Sequence, residues 1–84
     1  MRFYFITFRS VTLAQRGERT IRRGGVSCNL QRTPRWMEER GCGYCLRLRP
    51  QDAARAVELL RADGIQFSKV FAVNEAGEAE ALPL

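Results

Sequence analysis

Residues 2–8, Arg-Phe-Tyr-Phe-Ile-Thr-Phe, put Phe3 and Phe5 on one side of an extended chain and Tyr4, Ile6 and Phe8 on the other. Aromatic and β-branched residues favour a pleated sheet, and a strand apolar on both faces belongs in the middle of its sheet. Ser10 then offers a helix cap. Leu13, Ala14, Gly17 and Ile21 recur at roughly helical spacing, predicting a helix from Ser10 to about Arg23. Arg22 and Arg23 suit its last turn, and Gly24-Gly25 stops it. Gly17 weakens this helix by about 1 kcal/mol relative to Ala, unless it lets the helix pack closely on the sheet.

Residues 26–31 alternate: Val26, Cys28 and Leu30 point one way, Ser27, Asn29 and Gln31 the other. That is a half-buried strand, with Cys28 as a core thiol. Residues 32–41 have no period. Pro34 breaks any regular element, and Trp36 and Met37 either cover one end of the core or form a contact surface. Residues 43–49 alternate again, with Tyr44, Leu46 and Leu48 opposite Cys45, Arg47 and Arg49. Pro50 and Asp52 open a second helix striped by Ala53, Ala56, Val57 and Leu60 and stopped by Gly64. Residues 65–73 read as a last strand.

The halves repeat. Residues 4–8 line up with residues 44–48, and Ile21, Gly25 and Val26 line up with Leu60, Gly64 and Ile65. Two strand–helix–strand units predict an α+β fold: a ferredoxin-like βαββαβ sandwich, a four-stranded antiparallel sheet with both helices on one face. Residues 1–73 would form this domain. Residues 74–84 would be an acidic tail, either an edge strand or a frayed end.

The chain has 84 residues and a net charge of +5, enough for one domain with a small core. Every base except Lys69 is Arg, whose fork suits bidentate anion binding; a solvated surface accounts for most of them. No apolar run nears the ~20 residues of a membrane span. The apolar run at the start, about six residues, falls short of the roughly 7–15 of a signal peptide. A cytoplasmic protein is expected.

Histidine is absent, which excludes Ser/His/Asp and Cys/His nucleophilic enzymes and most acid/base chemistry near neutral pH. Three cysteines, an odd number, argue for thiol chemistry over a disulfide framework. Cys42-Gly43-Tyr44-Cys45 has CxxC spacing, but a strand follows where a redox motif opens a helix. Residues three apart in a strand are about 10 Å apart, too far for a disulfide unless Gly43 turns tightly.

Four readings compete for the pair. Both thiols could be ordinary. Cys42 could be a reactive thiol whose thiolate is stabilised by Arg35, Arg40 and Arg47. A zinc site lacks a fourth ligand, since three Cys and no His fall one short. RNA is suggested by the basic charge and by residues 40–45, which resemble the start of an RNP1 motif. That register, however, would turn Arg47 into the core and Leu46 out to solvent.

The motifs together resemble the selenium/sulfur carrier-like family of short bacterial ferredoxin-like domains. Thr7-Phe8-Arg9-Ser10, Gly25-Val26, Thr33-Pro34-Arg35, Cys42-Gly43 and Leu46-Arg47 match its pattern in order; Cys45 is an addition to it. The resemblance spans residues 1–73. It implies a carrier rather than an enzyme, with no cofactor and no metal. Cys42 would accept sulfur or selenium as a persulfide or perselenide from a cysteine desulfurase or another selenium-handling protein. Cys45 would be a resolving thiol, and Arg35, Arg40 and Arg47 an electropositive surround. The alternative is a small basic adaptor binding protein or nucleic acid without a reactive thiol. A homodimer that pairs open sheet faces through Phe3 and Phe5, or through Tyr4 and Phe8, is a third option.

Overall fold

The computed structural model describes residues 3–34, 43–74 and 76–82. Five strands and two helices follow in the order β1 (Phe3–Thr7), α1 (Val11–Arg23), β2 (Asn29–Arg32), β3 (Tyr44–Leu48), α2 (Ala53–Ala62), β4 (Val70–Val73) and β5 (Ala79–Leu82). A short 3₁₀ turn, Pro50–Asp52, leads into α2. The strands form one antiparallel sheet in the order β2-β3-β1-β4-β5. The fold is therefore α+β, as expected, but the sheet has five strands and not four.

The fifth strand comes from the acidic tail. Asn74 binds Glu78 through main chain and side chain, turning the chain back so that Ala79–Leu82 pairs with β4. Alternation of Ala and Glu with Leu82 is too weakly apolar to announce a strand. The free edge of β4 and the turn at residues 74–77 supply what composition does not.

β1 is flanked by β3 and β4, the central place its apolar faces predict. Ile6, Phe8, Leu46, Leu48 and Val70 join Ala14 and Ile21 of α1 and Ala56, Val57 and Leu60 of α2 in a single core. Val26 and Cys28 belong to it as well, although pairing in β2 begins only at Asn29. Ser10 caps α1, its Oγ accepting a hydrogen bond from Leu13 N–H. Gly17 is buried, and a Cβ there would lie 2.9 Å from Phe8 Cζ and 3.2 Å from Leu60 Cδ2. The glycine thus permits the close approach that offsets its poor helix propensity.

The internal repeat survives in hydrogen-bond detail. Gly25 N–H donates to Arg22 O and Val26 N–H to Ile21 O; Gly64 N–H donates to Arg61 O and Ile65 N–H to Leu60 O. Both glycines have positive φ, 82° and 67°. Each helix ends in a Schellman motif, with an aliphatic residue folded back onto the last turn.

The last of the four expected strands is shorter than its apolar pattern. β1 ends at Thr7 because Arg9 and Ser10 turn into α1, so residues 65–67 have no strand to pair with. Pairing starts where Ser68 N–H donates to Thr7 O and Thr7 N–H donates to Lys69 O.

Candidate functional site

The connection between β2 and β3 is the candidate site, and its stem is well defined. Arg32 pairs with Tyr44, and Thr33 N–H donates to Gly43 O at 2.8 Å. Gly43 has φ 81°, the left-handed region that favours glycine. Beyond it the chain enters β3 at Tyr44, two positions after Cys42 in the sequence. Arg35, Arg40 and Cys42, with Trp36 and Met37, lie outside the described residues.

Cys45 and Arg47 are both described, and the register places them on the sheet face away from the helices. Leu46, between them, is fully buried in the core with Tyr44 packed against it. This is the phase the hydrophobic pattern predicts and the opposite of the one an RNP1 reading requires. Cys45 is itself fully buried, packed with Phe5. Arg47 is half-buried, and its guanidinium lies over the Phe3 ring, 4.8 Å from the centroid. Phe3 pairs with Val73, at the end of the sheet opposite Gly43. In this rotamer Arg47 is directed away from the point where Cys42 joins the chain.

Cys28 is the second described thiol. It is buried in the helix-side core, its Sγ 3.9 Å from Glu18 O. Arg22 donates to Cys28 O and pairs with Glu18 at 3.4 Å. Burial pushes the thiol pKa upward; Arg22 partly opposes this and Glu18 adds to it. Cys28 is accordingly a structural thiol. No disulfide and no cluster of three or more metal-ligating side chains occurs among the described residues. No helix there is long and apolar enough to cross a membrane.

Sequence reasoning did not assemble a second group at the Gly43 end of the sheet. Thr7 pairs with Cys45 and hydrogen-bonds Ser68 and Lys69. Beside them a cleft is lined by Arg9, Leu13, Arg61, Phe67 and Lys69, among others. These residues come from three separate parts of the chain, and no local motif marks them.

A small α+β protein with a glycine-anchored, cysteine-bearing connection at one end of an antiparallel sheet is the class defined so far. The chain belongs to the family described as "Putative Se/S carrier protein-like", which matches residues 3–72. The match ends inside β4, one residue before its last, so β5 lies beyond it. Neither a search of curated proteins nor one of solved structures returned a match.

Proposed function

We propose that the protein is a non-enzymatic carrier of sulfur or selenium, with Cys42 as the acceptor thiol. Membership of the Se/S carrier-like family carries this reading. Its support in the fold is the attachment of Cys42: it adjoins Gly43, whose carbonyl is fixed by Thr33 at the mouth of the β2–β3 hairpin. The other two cysteines are buried, which leaves Cys42 as the thiol for exchange with another protein. We read the first four strands as a ferredoxin-like βαββαβ sandwich, with β5 added at the edge.

The step needs no histidine. The Cys42 thiolate attacks the outer sulfur of a donor persulfide, such as that of a cysteine desulfurase. A new S–S bond forms on Cys42, the donor's S–S bond breaks, and the donor cysteine leaves as a thiolate. Arg35 and Arg40 would hold the Cys42 thiolate in its charged form. Arg47 would join them only by taking its guanidinium off Phe3. Cys45, being buried, would resolve a Cys42 persulfide only from within the same molecule. The product would be a Cys42–Cys45 disulfide, with release of hydrosulfide.

The test is mass spectrometry of protein purified without reductant. Trypsin should release residues 41–47, which hold both Cys42 and Cys45, and fragmentation assigns the modified one. A mass gain of one sulfur or selenium atom on Cys42, absent in Cys42→Ser, is expected. Iodoacetamide should label Cys42 below neutral pH while Cys28 stays protected. Equal slow labelling of all three thiols would end the proposal.

A second reading, the adaptor, draws on the sheet face away from the helices, where Phe3, Phe71 and Val73 are only partly buried around Phe5 and Cys45. It predicts salt-sensitive binding of single-stranded RNA, and no binding at low salt removes it.

A further inference from the structure

We propose that the cleft between the start of α1, the end of α2 and residues 64–69 binds a small phosphate ester with an apolar or aromatic body. Its volume is about 670 Å³, within the range of roughly 300–1,000 Å³ that small-molecule sites occupy. Nine residues line it: three bases, Arg9, Arg61 and Lys69, and no acid. Arg9 and Arg61 enter no ion pair among the described residues, although Arg22, Arg23 and Arg49 each find a carboxylate. All three bases are exposed, at the rim of a concavity whose inner wall is Leu13, Ile65 and Phe67, and like charges so placed add to one field, which favours an anion of more than one charge. Guanidinium forks match phosphate oxygens bidentately, and a single carboxylate would leave one of the two guanidinium charges unanswered.

The other wall specifies the rest of the ligand. Leu13, Ile65 and Phe67 are its apolar members, and Phe67 packs against the main core, which limits its movement. The Arg61 guanidinium lies over the Phe67 ring, 5.9 Å from its centroid. Charge and aromatic surface are thus adjacent, an arrangement that suits a phosphate joined to a flat or apolar group. Ser68 adds a hydroxyl and Gln66 an amide for the polar atoms between them. The cleft uses no thiol, so the inference stands apart from the carrier reading.

Calorimetric titration of the full chain at low salt, with ADP and separately with inorganic pyrophosphate, tests it. Both should bind, and ADP more tightly. Arg9→Gln combined with Arg61→Gln should weaken both by about tenfold or more, because charge-assisted hydrogen bonds to phosphate are lost. Arg55→Gln removes one charge from an exposed position of α2 that does not line the cleft, and should leave both affinities within about twofold, since it takes no hydrogen-bond donor from the cleft. Phe67→Leu should reduce ADP binding while sparing pyrophosphate. Cys42→Ser should change neither, which separates failure of this site from failure of the carrier proposal. The inference is overturned by absence of binding for both probes, by Arg55→Gln weakening them as much as the cleft variants, by equal affinity for ADP and pyrophosphate, or by tighter binding of a Glu-rich peptide than of ADP.

Discussion

Alternate residues of β1, β3 and β4 supply two faces that the rest of the chain treats differently. On one, Ile6, Leu46, Leu48 and Val70 are almost completely buried beneath the two helices. On the other, Phe5 and Cys45 are buried while Phe3, Phe71 and Val73 stay partly exposed, and no described helix covers them. The first face is apolar because folding requires it. The second is apolar too, without a described helix to cover it, and Arg47 lies across part of it. Its hydrophobicity thus belongs to sheet centrality and aromatic packing more than to the main core.

Substituting one residue on each face makes the difference measurable. Leu46→Ala should cost about 2–5 kcal/mol, through lost burial and the cavity left behind. Phe71→Ala, on the half-exposed face, should cost less than half as much despite removing a larger side chain, because part of that ring is already in water. Urea denaturation of both variants decides it. Equal losses would mean that the second face is covered in solution, by a second copy of the chain or by another partner.

Gly17→Ala probes how closely the helix layer sits on the first face. Helix propensity alone favours alanine by about 1 kcal/mol. The added Cβ, however, would lie 2.9 Å from the Phe8 ring, itself fully buried. A net destabilisation of about 1–3 kcal/mol is expected from the overpacking. A stabilised variant would show that α1 can lift off the sheet at little cost. On the other face, Arg47→Ala should cost about 0.5–1 kcal/mol for its contact with the Phe3 ring, and Arg47→Gln should cost no more, since both lose the charge but Gln keeps part of the stem that packs on the ring.

The features readable from sequence are those settled within a few residues. The Ser10 cap, the Gly25 and Gly64 helix stops and the alternation of residues 44–48 each depend on neighbours close along the chain, and each appears in the fold. Features that need a distant partner were less legible. The last of the expected strands is short because β1 turns away after Thr7. The fifth exists because β4 has a free edge, whatever the composition of Ala79–Leu82. The same rule divides the two sites. Cys42 stands out because it is a cysteine next to a glycine. Arg9, Arg61 and Phe67 do not, because only the packing of α1, α2 and residues 64–69 brings them to one cleft.

The smallest expected effect concerns the buried thiol Cys28. Cys28 lies on the helix side, and burial raises its pKa above the ordinary value of 9.0, with Arg22 moderating the shift. The folded protein therefore keeps the proton longer than the unfolded chain does. Below about 9.0 both states are protonated, and the stability that the neutral thiol contributes is fully present. As pH climbs through that value the unfolded chain ionises first, and the contribution is lost on approach to the folded pKa. Cys28→Ala removes the titration at the cost of a small cavity. Compared by urea midpoints, the wild-type chain should be the more stable near neutral pH, and the gap should narrow above 9.0. If the Cys28 gap stays constant across that window, the thiol is solvated in solution, and the tight packing assigned to the helix-covered face does not extend to its β2 edge.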